Sequence, residues 1–156
     1  NITLGISLLK NVARLEWLFE KATEMGVHTI VPLITERTIH ERFKTDRMEG
    51  ILQSAMLQSQ QTWLPRMLPP TPFEQFISSC HQTTKLIAHC ESGEKTAIDQ
   101  LILSDHIAIL IGPEGDFTSS EIGTAIKKDF QPVHLGTTRL RTETAALFAL
   151  CKLKKI

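Results

Sequence analysis

Apolar positions along the chain fall into short runs that alternate between two periodicities. Ile2–Leu9 alternates weakly and reads as a strand. Val12, Leu15, Leu18, Phe19, Ala22 and Met25 then recur at helical spacing, with Gly26 where a helix is closed by a glycine. A β-branched run over 28–34 predicts a second strand. Met48, Ile51, Leu52, Ala55 and either Met56 or Leu57 predict a helix over 45–62, with Thr45 or Asp46 as N-cap. Four prolines between Trp63 and Pro72 make that segment a loop with at most a short edge strand. Thr71 is placed to cap a short helix running to Ser78.

The remaining half repeats the scheme. Residues 85–89 and 107–111 read as strands, 97–103 as a short helix or turn, and 132–135 as a last strand. Thr118 or Ser119 with Glu121 gives a capping-box pattern, and 142–153 is the final helix. Strands alternating with helices over short connections predict one α/β domain around a largely parallel sheet. There is no internal repeat, low-complexity tract or linker.

The chain has 156 residues, enough for one domain with a sizeable core, and 42% of them are hydrophobic. No apolar run is long enough to span a bilayer, and residues 1–9 lack the basic leader of a signal peptide. Three cysteines (Cys80, Cys90, Cys151) without CxxC spacing argue against a disulfide framework or a zinc site and fit a reducing cytoplasm. Seventeen basic residues balance seventeen acidic ones, so a nucleic-acid partner would need local positive charge or another domain. The start at Asn1, inside a strand-like run and without Met, predicts a piece of a longer chain.

Two strand-to-helix turns carry the candidate chemistry. In Gly112-Pro113-Glu114-Gly115 the glycines let a ligand approach the main chain, while Pro113 stiffens the loop. No Gly-Lys-Ser/Thr follows and GxGxxG is absent, which excludes a Walker loop and disfavours a Rossmann fingerprint. A purely structural turn accounts equally well for this spacing. The second turn, Leu135-Gly136-Thr137-Thr138-Arg139-Leu140-Arg141, presents two guanidinium groups suited to anionic oxygens. Glu143 in the first turn of the following helix is favoured by the helix dipole and is a candidate partner for Arg141.

In order and spacing, Ile111–Phe117 and Leu135–Ala145 resemble the ribosomal RNA small subunit methyltransferase E family, of the SPOUT superfamily. Its pattern is an IGPEGG turn followed by LG-x-R-I-L-R-T-E-T-A. The resemblance extends upstream through Lys10, Arg14, Glu16, Lys21–Glu24, Gly26-Val27, Glu36–Thr38, Lys44, Arg47, Ala55, Gln58-Ser59 and Pro65. Asp116 stands where the pattern has its last glycine, and Thr138 and Arg139 occupy the first Arg and the Ile of RILR. Leu57 and Gln61 replace the Glu and Arg of an E-Q-S-x-R segment.

The resemblance implies a SPOUT-type α/β knot, with a deep C-terminal trefoil knot, over residues 1–156. It further implies an N-terminal PUA-like RNA-binding domain outside this chain. The implied activity is S-adenosylmethionine-dependent methylation of a uridine N3 in 16S ribosomal RNA, on free RNA or on the small subunit. The implied enzyme is a cytoplasmic homodimer that uses no metal. His89, Glu91, Ile111, Gly112, Pro113, Gly115, Leu135, Gly136, Leu140, Arg141 and Thr144 would hold the cofactor. Arg141 would be catalytic, and Arg37, Lys44, Arg47 and Arg139 would meet RNA, with Arg42 in the same cluster and Lys152, Lys154 and Lys155 in another. Three other readings remain: a knotted dimer that binds without catalysis, a methyltransferase with another RNA target or another base atom, and a hydrolase using His89, Cys90 and Glu91. Adjacent residues on a strand face opposite ways, which disfavours the hydrolase.

Overall fold

A computed structural model describes residues 1–39 and 41–154. Eight strands form one sheet: β1 (Ile2–Ser7), β2 (Thr29–Ile34), β3 (Arg66–Met67), β4 (Thr71–Pro72), β5 (Thr84–Ala88), β6 (Thr96–Ala97), β7 (Ile107–Ile111) and β8 (Gln131–His134). Their order is β3-β2-β1-β7-β5-β8-β6, with β4 also on β2, and every pairing among the described residues is parallel. The helices are α1 (Val12–Glu24), α2 (Thr45–Gln58), α3 (Phe73–Ser79), α4 (Ser119–Lys127) and α5 (Thr142–Leu153), with a 3-10 turn at Ile98–Gln100.

Both faces of the sheet are covered, which explains why its central strands are near-continuous apolar runs rather than clean alternations. Leu4, Ile6, Ile30, Leu86, Ile109 and Ile111 belong to a core with Leu15, Leu18 and Phe19 of α1, Leu52 of α2 and Ala146, Ala149 and Leu150 of α5. Val31, Leu33, Ile87, Ala108 and Leu110 face the other way, onto Phe73, Phe76 and Ile77 of α3 and Ile122 and Ala125 of α4. Consecutive strand residues thus supply opposite cores, as the period of two requires.

Several local expectations shift. Helix α2 stops at Gln58, and its N-cap is Lys44, without a side-chain cap bond, rather than Thr45 or Asp46. The freed segment is used elsewhere: Gln61 Nε2 donates to the carbonyls of Thr23 (2.7 Å) and Glu24 (2.8 Å), satisfying acceptors at the end of α1. The proline-rich loop holds two two-residue strands, β3 and β4, because β2 still has an edge to pair. Pro72, not Thr71, caps α3; its fixed φ (−55°) suits a helix start. The Thr71 hydroxyl instead donates to the Pro69 carbonyl at 2.7 Å. By contrast, α4 starts with the full capping box: Thr118 Oγ1 accepts from Glu121 N–H, and Glu121 Oε2 accepts from Thr118 N–H.

Candidate functional site

In a parallel sheet every strand ends at the same edge, and ligands bind in the crevice outside those carboxyl ends. Here β5, β7 and β8 run side by side as β7-β5-β8 with β1 beyond β7, and the loops leaving β5, β7 and β8 enclose a cavity of about 660 Å³. His89 and Cys90 border it from the first loop, Ile111–Glu114 and Asp116 from the second, and Leu135–Thr142 from the third. Arg14 of α1, Glu143 and Ala145 of α5, Lys95, and Ala88, Val133 and His134 at the strand ends complete the wall.

The second loop is pinned on three sides. Glu114 Oε1 accepts from Lys10 N–H at 2.9 Å, tying the turn to the segment after β1. Arg37 Nη1 donates to the Gly115 carbonyl at 2.5 Å. Glu121, buried at the start of α4, also accepts from Glu36 N–H at 2.8 Å, while the Thr118 hydroxyl donates to Glu36 Oε2 at 3.0 Å. Gly112 is required by close approach: a Cβ there would lie 3.0 Å from Phe117 N and 3.2 Å from Asp116 C. Phe117 is fully buried against Phe73, with ring centroids 5.3 Å apart, so the turn is anchored from beneath.

The third loop is open. Gly136 adopts φ +127°, a backbone that side chains rarely tolerate, and no atom lies within 4 Å of where its Cβ would be. Arg139 and Arg141 are exposed, and Arg141 is the N-cap of α5 through its backbone, without a side-chain cap bond. Glu143 is buried and pairs with Arg14 (Nε–Oε1, 3.7 Å) rather than with Arg141.

In the first loop Lys95 Nζ donates to the carbonyls of His89 (3.0 Å) and Glu91 (2.7 Å). His89 Nδ1 is buried without a partner among the described residues. Burial pushes the His89 pKa below its ordinary 6.5, the Lys95 ammonium lowers it further, and the Asp116 and Glu91 carboxylates oppose the shift. The net effect favours the neutral imidazole. His28 is lowered in the same direction, chiefly by burial. For a histidine with a depressed folded pKa, the unfolded chain binds protons first. Stability is then complete above about 6.5 and falls as pH drops toward the folded values. Urea unfolding at pH 7.5 and 5.5 is expected to show this loss, with a smaller difference in His89→Gln. An undiminished difference in that variant would place the titration elsewhere.

The residues expected to hold a cofactor divide accordingly. His89, Ile111, Gly112, Pro113, Leu135, Gly136, Leu140 and Arg141 border the cavity; Glu91, Gly115 and Thr144 do not. Glu91 instead bonds to the Ser119 hydroxyl, and Gly115 is covered by the Arg37 side chain, whose Cδ would lie 3.3 Å from a Cβ there. Of the residues expected to meet RNA, Arg37, Lys44, Arg47 and Arg139 are all exposed. Arg47 is engaged by Glu16 through two bonds (2.5 and 2.8 Å), which hold the Glu16 carboxyl below its usual range. Arg42, Lys152 and Lys154 are exposed too, whereas Lys155 lies outside the described residues. Arg14, Lys95, Asp116 and Glu143 line the cavity without having been expected to hold a ligand; the sequence marks Arg14 by resemblance, Asp116 as a departure from glycine and Glu143 at a helix start, but gives no sign of Lys95.

A parallel α/β sheet with such a cavity at its carboxyl edge defines a ligand-binding α/β domain, and comparison with known proteins makes the class specific. Residues 1–154 match the RNA methyltransferase domain family. A ribosomal RNA small subunit methyltransferase E from Synechocystis is 34% identical over 99% of this chain and 53% of its own length. The crystal structure of a probable rRNA-methyltransferase from Porphyromonas gingivalis superposes with a TM-score of 0.91 at 36% identity, over 97% of this chain and 65% of that one. That of a ribosomal RNA small subunit methyltransferase E from Neisseria gonorrhoeae, bound to S-adenosyl methionine, gives 0.88 at 34% identity, over 97% and 64%. The chain belongs to the RNA methyltransferase domain family and, within it, to the ribosomal RNA small subunit methyltransferase E family. It spans from about half to two thirds of the length of these relatives.

Proposed function

We propose that residues 1–156 are the catalytic domain of an S-adenosylmethionine-dependent enzyme that methylates N3 of a uridine in 16S ribosomal RNA. The observation that carries this reading is the cavity formed by three loops at the carboxyl ends of β5, β7 and β8. Its character suits such a cofactor. Gly136 leaves open space where a side chain would stand, and His89 Nδ1 is a buried polar atom awaiting a partner. Apolar Ile111, Val133, Leu135 and Leu140 offer a surface for an adenine ring. When bound, S-adenosylmethionine supplies an electrophilic methyl group on a sulfonium.

The chain's own task is to hold the acceptor base and to balance charge. Methylation at N3 removes the N3 proton, and negative charge develops on uracil O2 and O4. Arg141, exposed at the rim, is the donor suited to that charge or to an adjacent phosphate. Positioning the two reactants accounts for a large part of the rest. The carboxylates of Glu114 and Glu143, both at the cavity, are engaged by Lys10 N–H and Arg14. The exposed basic residues Arg37, Arg42 and Lys44 would meet phosphates.

The proposed assembly is a cytoplasmic homodimer with a knotted C-terminal segment, working with an N-terminal PUA-like RNA-binding domain. Half-exposed Trp17 on α1 and the partly buried Leu147 and Phe148 of α5 supply apolar surface for a second copy. The longer length of the relatives supports the additional domain. Methyl transfer from labelled S-adenosylmethionine to small-subunit RNA or subunits tests the activity, with the product read as N3-methyluridine. The full-length protein is expected to transfer, and this segment alone to bind cofactor but transfer poorly. Cofactor binding without transfer by the full-length protein would favour a non-catalytic binding module.

A further inference from the structure

Asp116 occupies a left-handed backbone (φ +66°), the conformation for which glycine is the default residue. A carboxylate at such a position puts local strain into the turn, so what it touches matters. Its Oδ1 accepts from the next residue's amide, Phe117 N–H, at 2.8 Å. Its Oδ2 accepts from Cys90 N–H at 2.7 Å, twenty-six residues away on the loop that follows β5. That second bond joins two walls of the cavity: the Gly112–Asp116 turn after β7 and the His89–Glu91 segment after β5.

Among the described residues, the other hydrogen bonds that hold the loop after β5 come from long side chains. Lys95 Nζ bonds the His89 and Glu91 carbonyls, and Glu91 reaches the Ser119 hydroxyl at the start of α4. The Asp116–Cys90 bond is the one of these ties that reaches from the Gly112–Asp116 turn to the main chain beside His89. It therefore fixes where the unpartnered His89 Nδ1 stands relative to that turn.

We infer that Asp116 is a positioning residue, a carboxylate clasp that holds the His89–Glu91 loop against the Gly112–Asp116 turn in the shape that receives the cofactor. The inference rests on the proposed S-adenosylmethionine site. Without the clasp the loop samples open shapes, and only the competent fraction binds. Glycine relieves the left-handed strain, so Asp116→Gly separates positioning from folding. Its melting temperature should stay close to that of the unaltered chain, because relief of the left-handed backbone offsets the two lost hydrogen bonds, while its Kd for S-adenosylmethionine rises about tenfold. Asp116→Asn keeps a carbonyl that can accept from Cys90 N–H and tolerates the same backbone, so its Kd stays within about twofold.

Amide exchange by NMR on the cofactor-free proteins reads the clasp directly. Cys90 N–H should exchange faster in Asp116→Gly than in the unaltered chain and be protected in Asp116→Asn. Wild-type affinity together with unchanged Cys90 protection in Asp116→Gly would overturn the inference. So would weakened binding with Cys90 protection intact, which would assign Asp116 to direct cofactor contact. Failure of the unaltered protein to bind S-adenosylmethionine would overturn the functional reading instead, and with it the cofactor part of this inference. The exchange experiment would still decide the clasp.

Discussion

Under the proposed function, replacing Arg141 by alanine should lower the methyl-transfer rate about 100- to 1,000-fold, the effect typical of losing one donor aimed at developing charge. The same change should leave the Kd for S-adenosylmethionine within about threefold, because the apolar wall and the main chain of the three loops remain. Folding should be almost untouched. Arg141 is exposed and caps α5 through its backbone alone, so truncation removes neither a buried contact nor a cap bond. Arg141→Lys keeps the charge but loses the planar fork, and should recover only part of the rate. Single-turnover transfer beside equilibrium cofactor binding separates these effects. Transfer at the unaltered rate would remove Arg141 from the reaction.

Gly136→Val should act on the other half of the problem. At φ +127° a β-branched residue is strained, at a cost of about 1–3 kcal/mol. The turn must shift or keep that strain, and in either case the new side chain enters space that no protein atom now occupies. Cofactor affinity should fall roughly 100-fold, which corresponds to about 2.8 kcal/mol. Gly136→Ala, smaller and unbranched, should lose less. Because Gly136 is exposed and outside both cores, circular dichroism should show the same secondary structure in all three proteins. Undiminished affinity in the valine variant would mean that the turn after β8 is not a cofactor wall.

The parts of this site that were legible in the sequence are those whose physics is local. Apolar runs ending in Gly112 and Leu135-Gly136 marked two strand-to-helix turns, and both border the cavity. The capping box at Thr118 and Glu121 was readable for the same reason, since both partners lie within four residues. What depends on distant chain segments was not readable. Arg14 reaches Glu143 across 129 residues, and Lys10 N–H reaches Glu114 across 104. No periodicity encodes such pairs. The same cause explains why local sequence suggests Arg141 as the partner of Glu143, and why Arg47, expected to face RNA, is held by Glu16. In the sequence Gln61 stands out only as a departure from a pattern, yet it closes the end of α1. The fold's main features followed from alternating elements. The minor strands β3 and β4 did not, because two residues each carry no pattern of their own.

The proposed function depends on the three-loop cavity being an S-adenosylmethionine site. Titration calorimetry of the folded protein with S-adenosylmethionine tests that most directly. Saturable heat, at no more than one molecule per chain, competed by S-adenosylhomocysteine and abolished or severely weakened in Gly136→Val, is the predicted result. Absence of saturable heat from protein shown to be folded would contradict the account.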